Sequence, residues 1–413
     1  MNVEIKPRKL AGEVVIPASK SLTHRAIICA SLSEGRSIIN NPLYCDDTLM
    51  TINAVKSFGV KVNVFQNHLE IKGVKEFRYN GIFDVGESAS TLRFLLPILA
   101  VSNQEFAIKG SNRLMRRIDT IDLKKLVGLN IDIHDDYVNV SGKLDIEAIE
   151  LNDNLTSQLI SGILFTLPIT KSKFKWNNIN NPYIDLTIQM MKDFGVNVKY
   201  GQDYVHVEEQ YNHRNVKIES DFSGAAFFIV MAVLNSEIKI KGLNFDSNQG
   251  DRAVIDYLQE MGVEFNFEND SLEVLTNYIK GINKDLTLTP DLVPVMAAIA
   301  SVSQGRTVFT GLEKLELKES DRLLSTCESL KTIGANIRIV NKDLIIDGQP
   351  FLNGGVSVSG YNDHRIIMSL AAISSRVLKP FIITNAEYVN KSFPTFFDLF
   401  TTIGGKYESN LSK

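Results

Sequence analysis

Several cations in this chain lie where helix electrostatics would not put them. The run ASKSLTHRA, residues 18–26, offers Ser19 as an N-cap, then Lys20, Ser21 and, one turn further on the same face, Arg25. A helix start carries partial positive charge and favours acidic neighbours. Lys20 is therefore misplaced there unless an anion sits between it and the free backbone N–H groups. Taken alone, it reads as a solvated surface lysine.

The pattern recurs, which changes the balance. GESASTLRF at 86–94 begins a second helix with the small residues Ser88, Ala89 and Ser90, leaving backbone amides open, and Arg93 follows one turn in. LTSQL at 155–159 groups Thr156, Ser157 and Gln158 ahead of an apolar helix. LKESDRL at 317–323 sets Lys318, Glu319 and Arg322 around a start capped by Ser320 or Asp321, and YNDHR at 361–365 caps with Asp363 before His364 and Arg365. A shared anionic ligand explains these cations more simply than separate accidents. Two more basic segments, GSNRLMRR at 110–117 with Arg113, Arg116 and Arg117, and NKSFP at 390–394 with Lys391, read singly as surface charge. Near the cations lie three carboxylates. Asp291, in TPDLVPVM at 289–296, has a strong competing reading as an N-cap, and Glu319 as a structural ion pair with Arg322. Asp363 is the third.

Other chemistries lack their parts. The chain has no GxxxxGK[ST] loop, no GxGxxG after a strand, no HExxH and no GxSxG. Of six histidines only His24 and His364 lie in a charged motif, so no metal is expected. A net charge of −4 argues against nucleic acid, and no apolar run is long enough to cross a membrane. No secretory signal is expected from the N-terminus. The three well-separated cysteines, Cys29, Cys45 and Cys327, suggest a reducing cytoplasm without a disulfide framework.

The elements that position these residues repeat. Gly59, Gly128, Gly195, Gly262, Gly334 and Gly404 recur at intervals of 67–72 residues. Each is expected to end an amphipathic helical stretch and lead into a strand, a polar turn and a second strand. Six such units in 413 residues divide naturally into two sets of three.

Together the SKSLTHRA, LKESDRL, YNDHR and NKSFP segments, in that order, resemble the 5-enolpyruvylshikimate-3-phosphate synthases, the 3-phosphoshikimate 1-carboxyvinyltransferases of the enolpyruvyltransferase family, from Lys6 to Lys391. The resemblance implies an α/β (α+β) fold of two domains, each of three βαβαββ repeats, with the active site in the cleft between them. One domain is expected at 20–219 and the other at 1–19 plus 220–413. It implies transfer of the enolpyruvyl group of phosphoenolpyruvate to the 5-hydroxyl of shikimate 3-phosphate, with no cofactor, by a cytoplasmic monomer. Lys20, Ser21, Arg25, Thr156, Ser157, Gln158, Asp291 and Lys318 would bind shikimate 3-phosphate. Lys20, Ala89, Arg113, Gln158, Arg322, Arg365 and Lys391 would bind phosphoenolpyruvate. Asp291 would take the hydroxyl proton, Glu319 would serve the methylene carbon, Lys20 would assist, and Arg93, Tyr183, Asp363 and His364 would support them. Arg322 is expected to serve the ligand rather than the fold, and the gathered cations to repel one another until an anion arrives.

Three positions depart from the family pattern: Glu87 for asparagine, Asn180 for serine and Lys314 for asparagine. At Ala89 many members carry glycine and are sensitive to glyphosate, so the extra methyl implies tolerance. Two alternatives remain. The sister enzyme acting on UDP-N-acetylglucosamine carries a reactive cysteine that the 110–117 segment lacks. A non-catalytic anion binder would be weakened by Asp291 and Glu319.

Overall fold

The computed structural model describes residues 1–118, 123, 126–151, 155–177, 180–276 and 278–410. They form two compact units, one of Met1–Pro17 with Ser220–Lys413 and the other of Ala18–Glu219. The division after Pro17 falls just ahead of the limit expected at Lys20. Twelve α-helices are described: α1 (Lys20–Ser31), α2 (Asp46–Ser57), α3 (Ala89–Ala100), α4 (Asn112–Ile118), α5 (Ser157–Thr170), α6 (Pro182–Asp193), α7 (Phe222–Asn235), α8 (Ala253–Glu260), α9 (Val293–Ala300), α10 (Arg322–Thr332), α11 (His364–Ala372) and α12 (Phe396–Thr402).

Among the described residues there are six four-stranded sheets, three in each unit, with one connectivity. In the simplest case strand Ile82–Asp84 leads through α3 to the parallel strand Phe106–Lys109. Beyond α4 an antiparallel hairpin, Leu129–Ile133 and Tyr137–Gly142, completes the sheet with its second strand innermost. The sheets containing Phe174–Trp176 and Arg306–Thr310 repeat this order within a continuous stretch of chain. The other three borrow a strand from far along the sequence. Gly12–Val15 lies parallel to Ile238–Lys241, and Asn215–Lys217 parallel to the Gly35–Asn40 strand. Among the described residues only Lys406–Asn410 follows Gly404, and Asn2–Lys6 pairs with it in place of the second strand expected there.

The helices alternate in character. In α1, α3, α5, α7, α9 and α11 burial is nearly continuous, as in Leu22–Ser31 of α1 and Val293–Ala300 of α9. These are the cores of their units, and apolar residues surround them on all sides. In α2, α6, α8, α10 and α12 one face is buried and the other polar. Each of these five ends in an apolar C-cap (Phe58, Phe194, Met261, Ile333 or Ile403) followed by one of the repeated glycines. All six repeated glycines have φ between +84° and +106°, a region in which a side chain is strained, so each stop needs glycine.

The core helices approach closely where the site residues begin. A Cβ at Gly162 of α5 would lie 2.2 Å from the Arg93 carbonyl oxygen of α3 and 3.1 Å from the Phe94 Cα. Neither backbone can yield without moving the helix. Gly162→Ala should therefore cost about 1–3 kcal/mol or more in urea unfolding and should weaken the polar contacts that α3 and α5 share at their N-termini. An unchanged unfolding midpoint would contradict this account of the α3–α5 approach.

Candidate active site

In the Ala18–Glu219 unit the residues singled out sit at the starts of the buried helices. Ser19 caps α1 by accepting from the Leu22 N–H, Ser88 caps α3 from Thr91, and Thr156 caps α5 from Leu159. Lys20, the first residue of α1, is not left facing the helix dipole alone. Its Nζ lies 2.7 Å from Oδ2 of Asp47 in the first turn of α2, with both side chains largely buried. Arg25 donates through Nε to Thr187 Oγ1, through one terminal nitrogen to the Ser21 carbonyl and through the other to the Tyr183 carbonyl, each at 2.8 Å. Its guanidinium also lies 5.1 Å from the centre of the Phe94 ring. Burial pulls the group down to about 10, so it is still a cation near neutrality.

Gln158 joins α5 to α3. Its Oε1 accepts from Arg93 Nη1 and its Nε2 donates to Ser90 Oγ, both at 2.9 Å. The segment carrying Arg113 is tied to the same place, since the Ser111 N–H donates to the Gly86 carbonyl at 2.8 Å. Ala89, Lys20, Ser21, Thr156, Ser157 and Gln158 are thus presented from the starts of α1, α3 and α5, and Arg113 from α4. Asn180 is exposed. Arg116 is exposed too, and the Arg117 side chain lies outside the described residues.

In the other unit the residues form one ion-pair cluster. Arg322, at the start of α10, has a side chain only 1% exposed and is held by three carboxylates. Nη1 donates to Asp291 Oδ1 at 2.8 Å, Nε to Asp363 Oδ2 at 3.0 Å, and Nη2 to Glu319. Asp291 also accepts from Arg365 Nη2 through Oδ2 at 2.8 Å, and Lys318 Nζ lies 3.4 Å from its Oδ1. Asp363 caps α11, accepting from the Arg365 N–H, and accepts from Ser320 Oγ at 3.1 Å. Lys391 is buried at the end of the 3₁₀ segment Ala386–Lys391, which packs against α11.

Three expectations change. Asp291 is not an N-cap: Leu292 occupies that position of α9 without a side-chain cap, and the Asp291 carboxylate faces Arg322, Arg365 and Lys318 instead. The cations are not bare positive charges: Lys20, Lys318, Arg322 and Arg365 each have a carboxylate partner within their own unit. Arg322, expected to serve the ligand rather than the fold, is buried among Asp291, Glu319 and Asp363. A guanidinium in this position neutralises carboxylates that have little water to replace it.

Sequence reasoning missed Asp47 and the extent of Asp363's role. Asp46 and Asp47 open α2, where acidic residues are ordinary, so nothing local marked one as the partner of a lysine 27 positions away. Burial would raise the Asp291 carboxyl, but Arg365, Lys318 and Arg322 outweigh it and hold the group far below its ordinary value of 3.8. Burial likewise opposes ionisation of Asp363, and Arg322 overcomes it, leaving that carboxyl lowered as well.

Arg322→Ala should cost about 3–5 kcal/mol in denaturant unfolding, because it leaves buried carboxylates unpaired. A midpoint equal to that of the parent would contradict the buried clamp. A carboxyl lowered on folding stabilises fully above its unfolded value and loses that contribution as pH falls through the folded one. Stability should therefore fall below about pH 4, and less steeply in Asp291→Asn. Identical acid unfolding curves for the two proteins would show that Asp291 contributes nothing to the clamp.

Among the described residues no helix is long and apolar enough to cross a membrane and no group of side chains is set to hold a metal ion. A family model for EPSP synthase (3-phosphoshikimate 1-carboxyvinyltransferase) matches residues 5–400. The 3-phosphoshikimate 1-carboxyvinyltransferase of Clostridioides difficile (strain 630) is 37% identical over 437 residues, covering 100% of both chains. That of Clostridium kluyveri is 38% identical over 422 residues, covering 98% of each. Solved structures share the fold: EPSP synthase from Acinetobacter baumannii, at 23% identity and TM-score 0.78, covers 100% of both chains. The enolpyruvyl transferase NikO from Streptomyces tendae, at 14% identity and TM-score 0.78, covers 98% of each. With buried helices that begin in cations and small residues, and with matches along its whole length, this chain belongs to the EPSP synthase (3-phosphoshikimate 1-carboxyvinyltransferase) family.

Proposed function

We propose that the chain transfers the enolpyruvyl group of phosphoenolpyruvate to the 5-hydroxyl of shikimate 3-phosphate, releasing inorganic phosphate in the shikimate pathway of aromatic biosynthesis. One observation carries the reading: full-length relatives named for this activity accompany a set of helix starts rich in cations and small residues. Two phosphates and two carboxylates must be held during the reaction, and guanidinium groups suit both. Lys20, Ser21, Arg25, Thr156, Ser157, Gln158 and Lys318 are assigned to shikimate 3-phosphate. Arg113, Arg322, Arg365 and Lys391 are assigned to phosphoenolpyruvate, with Lys20, Gln158 and the Ala89 amide. The cytoplasm and a monomeric state are part of the same proposal.

In the addition step the 5-hydroxyl oxygen bonds to C2 of phosphoenolpyruvate, its proton passes to Asp291, and the C2–C3 π pair takes a proton at C3 from Glu319. In the elimination step the C2–O bond to phosphate breaks, the departing phosphate takes the proton from Asp291, and Glu319 removes one from C3. Lys20 assists these transfers by stabilising developing negative charge. Asp291 is a poor base while Arg322, Arg365 and Lys318 surround it. Ligand anions that engage those cations would weaken their hold and raise its basicity, so binding itself prepares the base.

Phosphate release from shikimate 3-phosphate and phosphoenolpyruvate tests the reading, with UDP-N-acetylglucosamine as the competing acceptor. Turnover with the shikimate is expected, falling about a hundredfold or more in Asp291→Asn through loss of the base. Turnover only with the nucleotide sugar, or with neither, would overturn it.

Ala89 is the buried first residue of α3. Glyphosate is longer than phosphoenolpyruvate, and a methyl group here should obstruct it more than it obstructs the substrate. Ala89→Gly is expected to strengthen glyphosate inhibition about tenfold to a hundredfold, corresponding to roughly 1–3 kcal/mol of relieved overlap. Equal inhibition constants for the two proteins would sink the steric argument.

A further inference from the structure

His24 is completely buried in the middle of α1 and takes no part in the mechanism above. Its Nδ1 lies 2.7 Å from Thr51 Oγ1 of α2, which lies 2.7 Å from Thr91 Oγ1 of α3. Thr91 Oγ1 in turn donates to Ser88 Oγ at 2.7 Å, and the Asp47 carbonyl is a second acceptor for it at 3.4 Å. Thr51, Thr91 and Ser88 are also fully buried. Four side chains thus form a single polar thread through an otherwise apolar core.

Proton counting gives the thread a direction. A threonine hydroxyl has one proton to donate. Thr91 directs its proton to Ser88 or to the Asp47 carbonyl, so along the Thr51–Thr91 contact Thr51 must be the donor. The proton of Thr51 is then spent, and the contact with His24 can be made only by an imidazole N–H at Nδ1. The other ring nitrogen, Nε2, is buried without a hydrogen-bond partner, and the ring lies nearly perpendicular to that of Phe94, so a second N–H would have no acceptor. Burial, with Lys20 and Arg25 nearby, outweighs the pull of Asp47 and lowers His24 to about 3, so the ring is neutral.

The thread ends on the residues that fix the site. Ser88 is the N-cap of α3, directly ahead of Ala89, and Asp47 holds Lys20 at the start of α1. We propose that His24, as the Nδ1–H tautomer, is a positioning residue that aligns the N-terminal turn of α3 with those of α1 and α2 through Thr51 and Thr91. The proposal rests on the assignment of the α3 turn to phosphoenolpyruvate, and its first test is independent of that assignment.

Imidazole ¹⁵N spectra of the full chain at pH 7, with the His24 signal identified by its loss in His24→Asn, read the tautomer. A proton on Nδ1 and a bare Nε2 are expected. A proton on Nε2, or a cationic ring, overturns the proposal. The second test is kinetic. Thr91→Val keeps the shape but breaks the thread. The KM for phosphoenolpyruvate should rise roughly tenfold while that for shikimate 3-phosphate stays within about twofold, because one turn has shifted. His24→Asn, whose amide can donate from a position close to Nδ1, should restore most of the phosphoenolpyruvate KM that His24→Leu loses. Equal losses for both substrates, no loss, or no rescue by asparagine would leave a thread that serves only the fold and would overturn the positioning role. If the parent enzyme releases no phosphate from the two substrates, the functional reading fails, and the spectra still decide the tautomer.

Discussion

A buried positive charge must be matched where water cannot reach it, and Arg322 meets that requirement with three carboxylates at once. Desolvating a guanidinium and its partners is expensive, so the cluster is stable only while each member keeps its partners. Asp363 can face Arg322 because it also caps α11, and Asp291 because Leu292, not Asp291, takes the capping position of α9. The starts of α9, α10 and α11 are thereby held together by charge. The helices themselves contribute the apolar core on which that charge rests.

The Ala18–Glu219 unit solves the same problem with one ion pair and many neutral contacts. Lys20 has Asp47, while Arg25 is satisfied by two carbonyls, a hydroxyl and an aromatic face. Hydrogen bonds from Gln158 to Ser90 and from Arg93 to Gln158 link α3 to α5 at their first turns. The absence of a side chain at Gly162 lets α3 and α5 approach. Cationic groups and helix dipoles are in this way fixed before any ligand arrives, as electrostatic catalysis requires. In this unit only Lys20 has a carboxylate partner, so an anion arriving there would have Asp47 alone to displace.

Much of this was legible locally. The capping of α1, α10 and α11 by Ser19, Asp321 and Asp363 follows from short-range chemistry, as do the glycine stops. What was not legible depends on partners distant in sequence. Nothing near Asp47 marks it as the counter-charge of Lys20, and nothing near Asp291 reveals that Arg365 will neutralise it. The same limit hid the pairing of Asn2–Lys6 with Lys406–Asn410, since a strand's partner is chosen by tertiary packing and not by its own alternation. The N-cap reading of Asp291 was sound as a propensity, and the three cations around it overrode that propensity.

If the site acts as proposed, substrate anions displace internal carboxylates from its cations. A crystal structure of the protein with shikimate 3-phosphate and a non-reacting phosphoenolpyruvate analogue tests it most directly. The Arg322–Asp291 contact, 2.8 Å in this structure, should open beyond hydrogen-bonding distance while a ligand oxygen takes its place on the guanidinium. An unopened contact, with both ligands bound and none of their oxygens on Arg322, Arg365 or Lys318, would contradict it.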